Sequence, residues 1–291
     1  MPPTVGSSTS FSAGGNFLDV MPEPRFVRSA LGRVPMRVHM DIVVSSQMLV
    51  DAAEEVVLLP AATRYETPGG VTETSTERRI IYSPEVMGRR IGEARPEWEV
   101  FLDLARRVKP ELSPALTFSD TGALREEIAR VVPLYEGIQG LKKAGDSIQY
   151  GGPHLCAGWR FPTADGNAHF RAVPLPAVDV PAGHFLCTTR RGKQFNSMIH
   201  EEVDPLTGAR RDSVYMNSID AASLGLEDGT PIRLTSEVGE YRGPVFVAPV
   251  RPGNLQVQWP EGSILIDNKT RSPESKIPDY KAIVTVSTAG P

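Results

Sequence analysis

Cysteine is scarce in this sequence. Among its 291 residues only Cys156 and Cys187 occur, and neither stands in a CxxC motif. A disulfide framework, a zinc knuckle and a cysteine-bound iron–sulfur cluster all need more thiols at closer spacing. We therefore interpret both cysteines as reduced structural thiols.

Long apolar runs and an excess of one charge are also missing. The longest apolar stretch, 56–62, is interrupted by Pro60 and is far shorter than the roughly 20 residues that cross a bilayer. The first residues lack the positive and apolar regions of a secretory signal. The net charge of −4 gives no global reason to bind nucleic acid or an anionic membrane. We expect a cytoplasmic protein that neither inserts into membranes nor binds nucleic acid.

The common catalytic fingerprints do not occur either. Neither a Walker A motif nor GxGxxG is present, and the five histidines are scattered without metal-ligand spacing. No nucleophile elbow and no carboxylate pair is favoured by its spacing. The sequence therefore predicts no catalytic residue and no metal ligand.

Glycine and proline are abundant, with 26 of each, which indicates many turns and irregular connections. The length allows about two domains, at roughly 100–200 residues per domain. Residues 1–13 are rich in Ser, Gly and Pro and are predicted to be a tail. We predict an α/β part over 14–136, a linker over 137–180 and a small β-barrel over 181–291.

Hydrophobic periodicity predicts the elements of the α/β part. In order, they are a helix over 23–33, a strand over 36–42, a short helix after Ser45-Ser46, a strand over 56–59, a surface loop over 60–92, and helices over 96–107 and 121–132. A strand, a helix and a strand in succession favour a βαβ unit with parallel strands.

From His184 onward, short β-rich runs alternate with glycine turns, which is typical of a small barrel. The predicted strands are 184–189, 214–217, 231–236, 243–247, 255–259, 264–267 and 282–287. A helix between the second and third of these strands is predicted to be capped by Asp220 and to end at Gly225.

The most polar segment, 188–198, follows an apolar strand directly. It brings Arg190, Arg191 and Lys193 together with a glycine, hydroxyls and amides. Arginine forks bind phosphate oxygens in a bidentate way, and glycine lets backbone N–H groups approach them. The composition therefore suits a phosphorylated ligand, while a solvated basic loop is the commoner alternative.

Ordered motifs extend along nearly the whole chain from about residue 14. They are GGNF at 14–17, VVLLPAATRYETPGG at 56–70, GEARPEW at 92–98, RFPTADGNAHF at 160–170, and TTRRGKQFNSM at 188–198 followed by DAASLGLEDGTPIRLTSEVG at 220–239. Together they resemble the carboxyl-terminal portion of the molybdopterin oxidoreductases. WPEGSILID, RSPES and IPDYKA, within 259–282, are similar more narrowly to formate dehydrogenase-like alpha subunits.

This resemblance implies a bis(molybdopterin guanine dinucleotide) molybdenum cofactor and a double-psi β-barrel that grips one dinucleotide. The residues implied to bind it are Gly15 and Asn16 from the α/β part, Thr189, Arg190, Gly192, Lys193, Gln194 and Asn196 around the pterin and pyrophosphate, and Trp259, Glu261, Gly262, Ser263, Tyr280 and Lys281 from the last strands. Family members often carry Asn where Ser263 stands.

The resemblance also implies what other parts of the enzyme supply. The family's iron–sulfur cysteines and its cysteine or selenocysteine molybdenum ligand lie upstream of the matched portion, so we expect an upstream portion or partner subunit that carries them. The complete enzyme would take two electrons from a small substrate such as formate, and this chain alone would be inactive. A non-catalytic module that binds a pterin or guanine nucleotide is the alternative, and a relic without a ligand is a third.

Overall fold

The computed structural model of the protein describes residues 9–88, 90–174, 178–192, 199 and 201–289. Within them the strands are β1 (Thr9–Ala13), β2 (Met36–Asp41), β3 (Glu55–Pro60), β4 (Val71–Thr74), β5 (Arg79–Ser83), β6 (Ser147–Gln149), β7 (Phe185–Arg190), β8 (Val214–Met216), β9 (Pro231–Thr235), β10 (Glu240–Val247), β11 (Asn254–Gln258) and β12 (Lys281–Thr288). The α-helices are α1 (Phe17–Val20), α2 (Pro24–Gly32), α3 (Glu97–Val108), α4 (Thr121–Val131) and α5 (Ser218–Ser223). Short 3-10 helices include Ser46–Leu49 and Glu261–Leu265.

The first three strands form a parallel sheet in the order β1-β2-β3. This confirms the predicted parallel strands.

The prediction of a tail over 1–13 is wrong for residues 9–13, because every residue of β1 pairs with one of the residues 36–40 of β2. Ser and Thr made this segment look like a linker, although Thr and Phe are also good strand formers.

Two further predictions of irregular structure are wrong in part. Within the predicted loop over 60–92, β4 and β5 form an antiparallel pair, and β6 from the predicted linker adds to the free side of β5. Ile80 and Tyr82 alternate on β5 and are buried against Ile138 and Leu141. The strands are short and their exposed faces carry Thr, Glu and Arg, so the apolar alternation was hard to see.

The longer helices match the predictions closely. α3 begins one residue after Pro96, and α4 is capped by Asp120, whose carboxylate accepts from the Ala123 N–H at 3.0 Å. The predicted cap of α5 is wrong. Asn217 caps it by accepting from the Ile219 N–H at 2.8 Å, whereas Asp220 lies in the first turn and accepts from the Gly253 N–H.

The last six strands close into a barrel in the order β10-β8-β11-β7-β12-β9. β8 is parallel to β10 and β7 is parallel to β11, while the other neighbours are antiparallel. The predicted strand over 264–267 is wrong, because it overlaps the 3-10 helix Glu261–Leu265. Leu265 and Ile266 there are buried in the barrel core, and a short buried apolar run does not reveal its secondary structure.

The barrel and the parallel sheet touch each other. α1 lies against the 3-10 helix Glu261–Leu265, and the Asn268 N–H donates to Oε2 of Glu23 at 2.8 Å. The contact between α1 and this 3-10 helix brings the turn after β1 to the same side of the molecule as the residues that follow β11.

In the part of the chain that the structure describes, every helix is too short or too polar to span a bilayer.

Candidate functional site

Half of the predicted binding residues, and most of those that the structure describes, lie where the parallel neighbours β7 and β11 end. Arg190 ends β7 and Gln258 ends β11, and the two are partners in register. The Trp259 N–H donates to the Arg190 carbonyl at 2.8 Å, so the two chains leave the barrel side by side. We call residues 190–192 and 258–263 the barrel lip.

Two arginines of the barrel lip lie against aromatic rings. The guanidinium carbon of Arg190 is 4.5 Å from the ring centroid of Tyr215, and that of Arg191 is 3.8 Å from Trp259. Neither guanidinium has a carboxylate partner among the described residues. Stacking orients a guanidinium plane and leaves its N–H edge able to donate. The lip therefore offers two positive charges to an anion.

Three polar atoms of the barrel lip are buried without a partner in the described ranges. They are Oε1 of Gln258, Nε1 of Trp259 and Oγ of Ser263. The amide nitrogen of Gln258 is used, since it donates to the Tyr215 hydroxyl at 3.2 Å. Leaving a buried polar atom unpaired costs about 1–3 kcal/mol, so such atoms usually have a partner. A polar ligand at the lip would supply these partners.

Gly262 allows the 3-10 helix to lie directly on the two strands. A Cβ at this position would overlap the Val257 side chain and lie 3.0 Å from Cγ2 of Thr189. Thr189 is fixed in turn by its N–H, which donates to the Tyr280 carbonyl at 3.4 Å. The absence of a side chain at position 262 therefore sets the position of Ser263 beside β7 and β11.

A cavity of about 370 Å³ lies on one side of the lip. It is lined by Arg190, Thr207, Tyr215, Phe246 and residues 247–250. The half-buried Arg190, whose guanidinium lies over Tyr215, thus borders an apolar, aromatic recess. This concavity is what a planar or phosphorylated ligand beside Arg190 requires.

A second cavity, of about 580 Å³, lies at Glu261. Oε1 of Glu261 accepts from Nε of Arg211 at 2.6 Å, which balances the negative charge of this carboxylate. A hydrogen bond from Arg210 lowers the pKa of Asp212 in the same cavity, so Asp212 stays ionised and paired. The predicted residue Glu261 is therefore engaged with Arg211, and its charge is balanced before any anion binds.

The turn at Gly15 and Asn16 belongs to the parallel-sheet part and is connected to the barrel lip through α1. The Asn16 side chain is used inside the turn, where its amide donates to Asp19 at 2.6 Å and to Ser46 at 3.1 Å. The backbone N–H groups of Gly15 and Asn16 have no acceptor among the residues that the structure describes. α1, which follows this turn, lies against the helix that carries Gly262 and Ser263.

Other predicted residues lie elsewhere. Lys281 donates to Asp279 at 3.0 Å and lines a separate cavity of about 670 Å³ on the outer side of β12. The Tyr280 carbonyl accepts from the N–H of Thr189, next to the barrel lip. Lys193, Gln194 and Asn196 lie outside the described residues.

Sequence reasoning missed two residues of this site. Tyr215, on β8, and Gln258, at the end of β11, join Arg190 only through strand pairing. Residues so distant in sequence share no spacing signal, so only their places at the ends of predicted strands could have singled them out.

The described residues contain no group of three His, Cys, Asp or Glu side chains that could hold a metal ion. Cys187 lies in the barrel core, and burial raises the pKa of its thiol to about 12. Cys156 is exposed.

The sequence is similar to a known domain family and to several known enzymes. Residues 185–284 match the family described as the molydopterin dinucleotide binding domain. A nitrate reductase of Synechocystis is 33% identical over 111 residues, which are 38% of this chain and 14% of that protein. The alpha subunit of the F420-dependent formate dehydrogenase 2 of Methanococcus maripaludis is 26% identical over 196 residues, which are 63% of this chain and 28% of that protein.

A solved structure shows the same fold over nearly the whole chain. Acetylene hydratase from Pelobacter acetylenicus matches with a TM-score of 0.64 and 16% identity, covering 97% of this chain and 44% of that one. This chain spans less than a third of the curated relatives that it matches.

Proposed function

Because this chain is related to the molybdopterin oxidoreductases and carries a molybdopterin dinucleotide-binding domain over 185–284, we propose that its two halves together hold one molybdopterin guanine dinucleotide. The barrel lip would bind the pterin and the diphosphate, and the turn at Gly15 and Asn16 would meet the ligand from the parallel sheet. We also assign the barrel to the double-psi type, which the two parallel strand pairs support.

One observation carries this proposal. At a single edge of the barrel, Arg190 and Arg191 lack carboxylate partners in the described part of the chain, beside three buried polar atoms that lack partners as well. Buried polar atoms usually have a hydrogen-bond partner, and arginine forks bind phosphate oxygens strongly. A diphosphate with a hydrogen-bonding ring system attached complements both sets.

Each lip residue then has a role in binding. The guanidinium edges of Arg190 and Arg191 would donate to the diphosphate. Oε1 of Gln258 and Oγ of Ser263 would meet the polar edge of the pterin, and Nε1 of Trp259 would donate to an acceptor on it. Gly262 lets the 3-10 helix lie on β7 and β11, which places Ser263 for its contact. The structure thus fits the cofactor on both charge and hydrogen-bonding capacity.

We propose that the complete enzyme is a formate dehydrogenase-like oxidoreductase. When bound, the molybdenum of such a cofactor takes up two electrons from a small substrate. This chain would hold and orient the cofactor and shield it from water. Formate is supported by the motifs within 259–282 and by the formate dehydrogenase relative.

The metal ligand and the electron relay would come from an upstream portion or a partner subunit. The Cys187 thiol supports this division, because it is sealed in the barrel core and a thiol must be deprotonated to bind a metal. We therefore propose that the chain alone does not oxidise formate.

Calorimetric titration of the full chain with guanosine 5′-diphosphate tests the binding proposal. In Arg191→Ala one charged hydrogen bond is lost, which at about 1.5–3 kcal/mol should weaken binding roughly 10- to 100-fold. Arg251→Ala removes an equal charge from an exposed site on the barrel and should bind like the wild type. Equal affinities in all three proteins would overturn the proposal.

A second measurement addresses the cofactor itself. Chain purified from its own host should contain pterin, and molybdenum if the cofactor is complete. Pterin or guanine nucleotide without molybdenum, even after co-purification with an upstream partner, would instead favour the non-catalytic binding module. Dye reduction by the purified chain with formate would contradict the proposed division of labour.

A further inference from the structure

Gln47 is a fully buried amide that grips the backbone on both sides of Asn16. Its Nε2 donates to the Gly15 carbonyl at 2.8 Å, and its Oε1 accepts from the Phe17 N–H at 2.8 Å. The side chain is 1% exposed. One side-chain amide thus donates to the Gly15 carbonyl and accepts from the Phe17 N–H, and the two bonds fix the orientation of the peptide groups around Asn16.

Gln47 is itself held rigidly. It lies in the 3-10 helix Ser46–Leu49, and the buried guanidinium of Arg37 donates to the carbonyl of Gln47 at 3.0 Å and to that of Val50. The neighbouring Ser46 hydroxyl donates to Asp19 at 2.9 Å and so ties the same helix to α1. The grip on the turn is therefore anchored to β2, on which Arg37 lies.

The turn that Gln47 holds has an unusual backbone. Gly14 and Gly15 are both left-handed, with φ of 67° and 77°, and a Cβ on Gly15 would meet no atom within 4 Å. Two left-handed residues in a row are readily displaced unless other contacts fix them. Gln47 occupies the Gly15 carbonyl and the Phe17 N–H, whereas the N–H groups of Gly15 and Asn16 have no acceptor in the described ranges and are available to a ligand.

We propose that Gln47 is a positioning residue: it fixes the turn 14–17 so that the backbone N–H groups of Gly15 and Asn16 donate to the diphosphate oxygens of the bound dinucleotide. This inference rests on the proposed function and deepens it. Gln47 does not touch the ligand, and it acts through the turn alone.

Gln47→Glu provides a sharp test, because the variant is isosteric and its donor can be switched by pH. An ionised carboxylate accepts from Phe17 but cannot donate to the Gly15 carbonyl, whereas the protonated acid can do both. We expect titration of the full chain with guanosine 5′-diphosphate to show about tenfold weaker binding than wild type near pH 8. Burial favours the neutral acid, so near pH 5 the ratio of the variant's association constant to that of the wild type should return to about one.

The ratio is needed because other groups near position 47 also titrate or carry charge. Arg37, His39 and Asp19 surround it, and the diphosphate titrates as well, but all of these are shared with the wild type. Gln149→Glu, which adds the same charge at an exposed site on β6, should show no pH-dependent ratio. A ratio for Gln47→Glu that stays near one at both pH values, or stays low at both, would overturn the inference.

Amide spectra of the labelled wild-type chain give an answer even if the variant folds poorly. On addition of guanosine 5′-diphosphate, the N–H signals of Gly15 and Asn16 should shift together with the indole N–H of Trp259. If only Trp259 shifts, the lip binds the diphosphate without the turn, and the inference fails while the proposed function stands. If the nucleotide does not bind at all, the proposed function fails first.

Discussion

The barrel and the parallel sheet are built on opposite kinds of core. The barrel interior is apolar, with Leu234, Leu255 and Val257 completely buried on neighbouring or facing strands. Around β2 of the sheet, by contrast, the polar Arg37 and His39 are almost completely buried together with Val38 and Met40. Apolar burial stabilises a fold without fixing any one atom, whereas directional hydrogen bonds, such as those from Arg37 to the Gln47 and Val50 carbonyls, specify positions. Nε of Arg37 and Nδ1 of His39 have no partner among the described residues. We infer that the barrel contributes mainly to stability, whereas the sheet fixes the position of the turn 14–17.

The largest loss of stability is expected from a cavity in the barrel core, and it tests the contrast between the two cores. Leu255→Ala should lower the free energy of unfolding by about 3–5 kcal/mol, because a fully buried side chain leaves a void. Leu58→Ala is the matched change on β3, where the leucine is 48% exposed, and should cost less than about 1 kcal/mol. Denaturant titration of both variants measures the difference. Similar losses would contradict the contrast, because Leu58 would then stabilise the sheet as much as Leu255 stabilises the barrel.

Arg37→Met tests the polar core next. Among the described residues, the change removes the donor to the buried Val50 carbonyl and leaves the Gln47 carbonyl with only the Val50 N–H at 3.4 Å, so the free energy of unfolding should fall by about 1–3 kcal/mol. Arg28→Met on the exposed face of α2 is the control and should change little. Apolar replacement of buried charges is sometimes stabilising, and a gain in stability here would show that the network serves placement only.

Gly262→Ala addresses the contact between the 3-10 helix and the strands. A methyl group would overlap Val257, and overpacking of this kind costs about 1–3 kcal/mol. The Trp259 fluorescence should shift as well, since the helix must move away from the lip. Gly140→Ala is matched, because a Cβ there meets nothing within 4 Å, and its denaturation curve should overlay that of the wild type.

The smallest effect concerns pH and His39. Burial and then the charge of Arg37 lower the pKa of His39, against a smaller opposing effect of Asp41. The unfolded chain therefore binds the proton more readily, so stability is complete above the unfolded value of about 6.5 and declines as the pH falls toward the lowered value. Thermal melts of His39→Gln should show a flatter dependence in this window. An unchanged slope would assign the loss to other groups.

Local pattern was enough to predict most of the barrel and the long helices. The strands around Cys187, Ile232 and Val284 were found because each is a short β-rich run between turns. β1 and β6 were missed because their pairing energy comes from neighbouring strands and not from their own apolar residues. Tertiary contacts of this kind leave no mark on composition.

The family resemblance and the cluster of positive charges were enough to predict part of the candidate site. Arg190, Trp259 and Ser263 lie together as expected, because parallel strands end at one edge. Lys281 is turned away from this edge, since neighbouring residues on a strand alternate between faces and Ala282 takes the inner one. Gln47 could not have been found, because its role depends on a turn thirty residues away.

The contrast between the two cysteines has a practical consequence for measuring ligand binding. Alkylating reagents such as maleimides attack thiolates, and Cys187 is both 1% exposed and protonated at any ordinary pH. Since the sequence holds only these two thiols, exposed Cys156 accepts a fluorophore in the natural chain without any engineered substitution. A single dye at that position can be paired with the intrinsic emission of the tryptophans to report how ligands rearrange the molecule.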